Sequence, residues 1–420
     1  MDKLVIKGGK RLKGEVAVSG SKNALLPIMA ATLLTDEPCR IKGVPKLRDT
    51  MTMIKILRSL GKAVEFRDAD ILVKSTKRVS TVADYKLVST MRASFCVLGP
   101  LLAKYKKCKV SLPGGCVIGL RPVDLHLKGI KALNARIDIE GGYVKVSAAR
   151  LLGNHIYLGG SFGSSVLATA NIMMAATFAQ GVTEIESAAC EPEIVDLARF
   201  LIKMGAKIKG YGTPLIQIKG LKHLHGAEHS IIPDRIEAGT FMIAALITRG
   251  EIKLKNVSWQ HFGAVLDKLK EMGAGIYKKD KAITIKFNGP LKSGNITTLP
   301  YPGFPTDMQA QMMSLMSITQ GVSIITEKVY PDRFMHIAEL NRMGAHIQRQ
   351  GPHAIISGVR QLSGADVMAS DLRASASLIL AGLAAEGRTS VSRIYHLERG
   401  YDKLDEKLIM LGADIHREKE

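Results

Sequence analysis

The alternation of apolar and polar positions along the chain repeats itself. An apolar helical stretch followed by Leu/Met-Gly-Ala-x-Ile/Val, or a close variant of it, occurs six times. The copies are Leu60-Gly61-Lys62-Ala63-Val64, Leu133-Asn134-Ala135-Arg136-Ile137 and Met204-Gly205-Ala206-Lys207-Ile208. They continue at Met272-Gly273-Ala274-Gly275-Ile276, Met343-Gly344-Ala345-His346-Ile347 and Leu411-Gly412-Ala413-Asp414-Ile415. The intervals are 73, 71, 68, 71 and 68 residues, so six units fill the chain. Each phrase predicts a helix C-terminus with Gly in the left-handed cap position, entering a strand. The helix before it is amphipathic: Ile194, Val195, Leu197, Ala198, Leu201 and Ile202 fall at helical spacing.

A second helix of different character lies earlier in each unit. Leu167–Ala179, Gly239–Thr248 and Ala374–Ala385 are apolar nearly all round, as a fully buried helix must be. These stretches tend to end in Gly before a strand, at Gly181, Gly250, Gly321 and Gly387. The unit therefore reads as strand, interior helix, strand, outer helix and strand, an α/β pattern. Three units closing around their interior helices would make one domain of about 200 residues, and two such domains account for the length. The expected boundaries are 21–231 for the first domain and 1–20 plus 232–420 for the second. The crossover falls at Ser230–Arg235, and the strand before Gly20 goes with the second domain.

Composition narrows the class. The chain has 420 residues, 46% hydrophobic and 23% charged, ordinary values for a globular protein. Met1-Asp2-Lys3-Leu4 lacks an apolar signal core. The most apolar segments fall short of the roughly 20 residues a membrane helix needs. Five scattered cysteines with no CxxC spacing argue against a zinc site or a disulfide framework and fit a reducing cytoplasm. The 11 histidines show no metal spacing, so no metal and no cofactor are expected. The formal net charge is +21. Its lysines and arginines are dispersed and only 5% of residues are aromatic, which favours a generally basic proteome or small anionic substrates over nucleic acid.

Aligned units place charged or polar groups at matching points. Lys22-Asn23, Arg92, Ser165, Asp234-Arg235, Asp307 and Asp371-Arg373 stand at the starts of the interior helices. Arg48, Arg121, Arg333 and Arg399 stand ahead of the outer ones. Helix N-termini carry free N–H donors and partial positive charge, so added Lys and Arg would make an anion-attracting mouth, with the active site expected in the cleft between the domains. Each residue taken alone also reads as a cap or a surface charge. The most distinctive segment is Leu112-Pro113-Gly114-Gly115-Cys116-Val117-Ile118-Gly119-Leu120-Arg121-Pro122. Its glycines predict a flexible loop, and Arg121 would lower the pKa of an exposed Cys116 thiol. Cys39, Cys96, Cys108 and Cys190 read as incidental. No GxxxxGK[ST], HExxH or GxSxG motif is present.

That loop, with Arg121-Pro122-Val123-Asp124-Leu125-His126, resembles the UDP-N-acetylglucosamine 1-carboxyvinyltransferase family of enolpyruvyl transferases. So do Gly20-Ser21-Lys22-Asn23-Ala24, Met91-Arg92-Ala93-Ser94, Pro233-Asp234-Arg235-Ile236-Glu237, Pro305-Thr306-Asp307-Met308-Gln309, Asp332-Arg333-Phe334-Met335-His336, Asp371-Leu372-Arg373-Ala374-Ser375 and Arg399-Gly400-Tyr401. The resemblance spans the chain. It implies two inside-out α/β barrels, each of three βαβαββ-like units, with helices inside and sheets outside. It also implies transfer of enolpyruvyl from phosphoenolpyruvate to the 3′-hydroxyl of UDP-N-acetylglucosamine with release of phosphate, the first committed step of peptidoglycan synthesis. That would make the chain a cytoplasmic transferase of cell-wall growth and division with no obligate protein partner.

By the same resemblance, Lys22, Asn23, Arg121 and Arg399 hold phosphoenolpyruvate. Cys116 donates a proton to its methylene carbon and is the residue alkylated by fosfomycin. Asp307 is the candidate base at the sugar hydroxyl. Arg92, Arg121, Pro122, Val123, Asp124, Leu125, Ser165, Val166, Asp307 and Val329 hold the nucleotide sugar, and Arg333, Asp371 and Arg373 assist closure. The chain departs from the family where Leu167 replaces a Gly in Ser165-Val166-Leu167-Ala168-Thr169 and Gly163 replaces a basic residue. Gly160-Ser161-Phe162-Gly163 is then an alternative phosphate contact. Two other readings remain at this point: enolpyruvyl transfer to shikimate 3-phosphate, and an RNA 3′-phosphate cyclase-like role.

Overall fold

Six four-stranded sheets, all wired alike, make up the strands of a computed structural model that describes residues 2–114 and 123–419. In each sheet one edge strand pairs parallel with its neighbour, and the other two pairings are antiparallel. In the second unit, for example, Val82–Ala83 lies parallel to Lys107–Ser111, which pairs antiparallel with Tyr143–Ser147, and that strand with Arg136–Glu140. In four of the six sheets the interior helix connects the parallel strands, as a crossover must. The outer helix leads into the closing hairpin. The observed unit is thus βαβαββ.

The contacts divide the chain into two compact units, each with three sheets. One comprises residues 20–114 and 123–232, and the other residues 2–19 and 233–419. In the second, Lys13–Ala17 is the parallel edge beside Glu251–Lys255. Asp2–Lys7 lies between Arg388–Ser392 and Asp414–Lys419, pairing Leu4 with both Val391 and Arg417. The N-terminal strand therefore supplies the fourth strand of the last repeat. In the first unit, Glu228–Ser230 from the end of the segment supplies the parallel edge of the first sheet, beside Cys39–Lys42.

The interior helices are Lys22–Ala31, Leu98–Tyr105, Val166–Ala176, Arg235–Ile247, Gln309–Met316 and Leu372–Ala384. In Val166–Ala176 every residue from Ala168 on is buried, which matches its uniformly apolar sequence. The amphipathic Pro192–Lys203 buries Ile194, Leu197 and Leu201 and leaves Arg199 and Lys203 exposed. The capping phrases take positive φ in all six copies: Gly61 (95°), Asn134 (69°), Gly205 (102°), Gly273 (104°), Gly344 (87°) and Gly412 (98°). Asn in the second copy fits, because its short polar side chain tolerates this region. Gly250 does not follow its counterparts. The left-handed residue there is Arg249 (φ 54°). Gly250 is instead required by packing, since a Cβ on it would lie 2.0 Å from the Leu12 carbonyl oxygen. Among the described residues no helix is long and apolar enough to cross a membrane.

Candidate active site

In the unit of residues 20–232, the helix Lys22–Ala31 opens under Ser21, whose Oγ accepts from the Ala24 N–H at 3.3 Å. This N-cap satisfies one of the free donors at the helix start and makes Lys22 the first helical residue. Lys22 is buried, and its ammonium meets Asp49, in the first turn of the outer helix Arg48–Ser59, at 3.1 Å. Asn23 is half-buried beside it, whereas Arg48 is exposed. Arg92 begins a 3-10 turn, Arg92–Val97, that runs directly into the second interior helix.

Ser165 caps the third interior helix, accepting from the Ala168 N–H at 3.3 Å. Val166 and Leu167 pack half-buried against the core. The Leu167 side chain thus serves the core at the position where Gly would leave the backbone open. Just upstream, Gly160 and Gly163 exchange two backbone hydrogen bonds of 3.1 and 3.0 Å, and this tight loop leaves Phe162 exposed. Val123 and Leu125 are half-buried and Asp124 exposed at the start of the outer helix Asp124–Ala132. Cys116, Arg121 and Pro122 lie outside the described residues. Burial pushes the Cys96 and Cys108 thiols up to about 12 and raises those of Cys39 and Cys190. All four are therefore poor nucleophiles at neutral pH.

In the other unit, Asp307 lies in the turn Thr306–Met308 before the helix Gln309–Met316. One carboxylate oxygen accepts from Arg333 at 2.9 Å and the other from Arg373 at 2.9 Å. Both arginines are buried, while Asp307 keeps part of its surface open. Burial alone would raise its pKa, but the two guanidiniums outweigh that and hold the carboxyl well below the usual range. Asp307 is therefore ionised throughout the physiological range and is only a weak proton acceptor.

Asp371 caps the helix Leu372–Ala384, accepting from the Arg373 and Ala374 N–H groups at 2.8 and 3.2 Å. Burial raises its pKa, and the Arg333 charge with the cap bonds lowers it further than that. Asp234 caps Arg235–Ile247 in the same way at 2.8 and 3.0 Å. Arg399 ends the turn Ile394–Arg399, half-buried.

Glu327, which sequence reasoning passed over, organises this region. It is fully buried, and Oε1 accepts from Thr298 (2.6 Å) and from the backbone N–H groups of Val329 and Tyr330 (2.9 Å each). Its Oε2 accepts from Thr306 at 2.9 Å, and the Thr306 hydroxyl in turn accepts from Arg333 at 3.0 Å. Val329 is thereby tied through two side chains to the Asp307 clamp. Its signal in the sequence is a lone acid ending an alternating strand, Val322–Glu327.

The sequence-predicted residues thus gather as Lys22 paired with Asp49, with Asn23 next to it in the chain, as Arg92, Val123–Leu125, Ser165 and Val166 at the starts of three packed helical elements, and as Asp307, Val329, Arg333, Asp371 and Arg373 in one network. Among the described residues no group of three His, Cys, Asp or Glu side chains is placed to hold a metal ion.

Residues 6–408 match the family EPSP synthase (3-phosphoshikimate 1-carboxyvinyltransferase). A UDP-N-acetylglucosamine 1-carboxyvinyltransferase of Methylacidiphilum infernorum is 53% identical over 417 residues, covering 99% of both chains. One of Myxococcus xanthus is 52% identical over 424 residues, covering 100% of both. Among solved structures, the enolpyruvyl transferase NikO from Streptomyces tendae superposes with a TM-score of 0.90 at 25% identity, over 99% of this chain and 98% of that one. The EPSP synthase of Acinetobacter baumannii shares the fold, with a TM-score of 0.76 at 19% identity over the whole of both chains.

Proposed function

The chain belongs to the enolpyruvyl transferase family, among the UDP-N-acetylglucosamine 1-carboxyvinyltransferases, and we propose that it moves the enolpyruvyl group of phosphoenolpyruvate onto the 3′-hydroxyl of UDP-N-acetylglucosamine, releasing phosphate. The observation that carries this reading is the identity of about half of all residues, end to end, with enzymes of that name. The reaction commits the nucleotide sugar to peptidoglycan, in the cytoplasm where both substrates are made. Wall growth, cell shape and division depend on that supply, and fosfomycin alkylates Cys116.

Phosphoenolpyruvate is a compact polyanion. Lys22, Asn23, Arg121 and Arg399 bind it, each charge-assisted hydrogen bond contributing about 1.5–3 kcal/mol. Asp49 balances the Lys22 ammonium when no anion is there. Arg92, Arg121–Leu125, Ser165, Val166 and Val329 hold the nucleotide sugar, and Arg333, Asp371 and Arg373 complete closure on the side of Asp307. In the addition step the Cys116 thiol gives its proton to the methylene carbon. The 3′-oxygen bonds to C2 and its proton passes to a base. In the elimination step a methyl proton leaves, the C–C double bond re-forms, and phosphate departs from C2 with its electron pair.

Asp307 is the candidate base, and its lowered basicity has a consequence. A carboxylate this acidic does not deprotonate a free alcohol. It takes the proton as the new C–O bond forms and the oxygen gains positive charge, when even a weak base suffices. Arg333 and Arg373 keep it ionised and aimed.

Phosphate release from phosphoenolpyruvate, measured with UDP-N-acetylglucosamine, with shikimate 3-phosphate and with neither, tests the assignment. Release is expected only with the sugar nucleotide. Release driven by shikimate 3-phosphate instead, or by neither acceptor, rejects it. Cys116→Ala is expected to abolish turnover, and an unimpaired variant rejects that residue's role alone.

A further inference from the structure

One polar side chain in the core of the unit 20–232 has no part in the chemistry above. Asn171 is fully buried in the helix Val166–Ala176, among Ile172, Met173 and Met174. An amide there is costly unless its hydrogen bonds are made, and three are. Its Oδ1 accepts from the Gly99 N–H at 2.8 Å. Its Nδ2 lies 3.0 Å from the Phe95 carbonyl oxygen and 2.8 Å from His126 Nδ1. The first partner can only donate and the second can only accept, so the amide has one orientation and its remaining N–H points at His126. His126 Nδ1 must then be a bare lone pair with the ring proton on Nε2.

The packing holds this arrangement. A Cβ on Gly99 would meet the Asn171 carbonyl oxygen at 2.2 Å, and one on Gly129 would meet Ile172 Cγ1 at 2.5 Å. These two glycines let the helices Leu98–Tyr105 and Asp124–Ala132 approach the interior helix beside Asn171. The His126 ring stands edge-on to Phe95, with centroids 5.2 Å apart and planes at 80°. Burial, and secondarily the Arg92 charge, push the imidazole down to about 3, which keeps it neutral. The helix Val166–Ala176 itself brings no charged group.

We infer that Asn171 and His126 are positioning residues of the nucleotide-sugar site: the Asn171 amide joins the turn that begins at Arg92 to the helix that begins at Asp124, through a bare His126 Nδ1. The inference rests on the sugar-nucleotide reading for its ligand and on the hydrogen-bond geometry for its mechanism. Phe95 is three residues from Arg92, and His126 directly follows Leu125. One amide therefore sets the spacing between two groups assigned to the same ligand. Neither Asn171 nor His126 touches the reacting atoms.

Two substitutions at one position separate this from ordinary core packing. The His126→Asn variant presents an oxygen where Nδ1 stood, whereas the His126→Gln variant presents its polar atoms at the reach of Nε2; both lose the ring contact with Phe95. His126→Asn is expected to raise KM for UDP-N-acetylglucosamine by no more than about threefold. His126→Gln is expected to raise it about tenfold, equal to about 1.4 kcal/mol, with KM for phosphoenolpyruvate moving less than twofold in either. Equal rises in the two variants, or a rise mainly for phosphoenolpyruvate, overturn the inference.

Nitrogen-15 NMR of the ring in the full chain is the second measurement. It should show an unprotonated Nδ1 and a protonated Nε2, unchanged down to pH 5. A protonated Nδ1 also overturns the inference. If the parent enzyme does not turn over the sugar nucleotide at all, the functional reading fails, while the ring spectrum still decides the Asn171–His126 bond.

Discussion

Replacing Asp307 with Ala strands two buried cations. Arg333 and Arg373 keep only 5% and 2% of their side-chain surface, and each makes a 2.9 Å bond to one oxygen of this carboxylate. Water cannot readily solvate guanidiniums so enclosed, and each then faces the other's charge. Removing one member of a buried ion pair costs about 3–5 kcal/mol. For a unit of about 200 residues, each kcal/mol shifts the melting temperature by about 2–4 °C, so a drop of about 6–20 °C is expected. Asp307→Asn keeps an oxygen for one guanidinium and should lose about half as much. The pH dependence has a definite sign. A carboxyl whose folded pKa lies below its unfolded value, about 3.9, stabilises the fold above that value and ceases to as pH falls through the folded one. Parent and Asp307→Ala should therefore differ fully at pH 7 and converge in strong acid. Differential scanning calorimetry across that range decides it. A variant melting within about 2 °C of the parent at pH 7, or a gap that widens in acid, refutes the clamp.

Acid should also weaken the fold through two buried imidazoles. Burial, helped by the Arg92 charge, pushes His126 down to about 3, and burial, opposed by Asp371 and helped by Arg333, pushes His336 to about 4. Their unfolded forms take up protons near 6.5, so each costs about 2 kcal/mol at pH 5; urea titrations of His126→Asn should show a smaller loss between pH 7 and 5. Ser165→Ala removes the cap at 3.3 Å from the Ala168 N–H and should cost about 1 kcal/mol, read as a fall in the denaturation midpoint. Gly99→Ala drives a Cβ to within 2.2 Å of the Asn171 carbonyl oxygen. A cost of about 1–3 kcal/mol is expected in the same titration, together with weaker UDP-N-acetylglucosamine binding by calorimetry.

The repeat was legible because its cause is local. A helix C-terminus needs a left-handed residue, so Gly61, Gly205, Gly273, Gly344 and Gly412 announce themselves, and Asn134 substitutes for the same reason. Interior helices were legible from uniform apolarity. Gly250 also precedes its strand as expected, but close approach and positive φ both select Gly, and spacing cannot distinguish them. The Asp307 clamp was hidden for a different reason. Its arginines lie 26 and 66 residues away, and a charge at a helix start does not reveal which partner it will face. Asn171 and Glu327 left fainter marks, one an amide within an apolar helix and the other a lone acid ending an alternating strand. A buried amide or carboxylate implies several partners, but only the fold names them.

The placement of Asp2–Lys7 sets an order of assembly in time. This strand is made long before either of its neighbours, Arg388–Ser392 and Asp414–Lys419. On the ribosome it must wait unpaired while nearly the whole chain is synthesised. Residues 20–232, by contrast, form a continuous stretch whose three sheets use no strand from outside it. That half can fold as it emerges, while its sister stays open until the final strand is released. A stalled or C-terminally clipped chain would then hold one folded half and one exposed apolar strand, a form suited to recognition by chaperones and proteases.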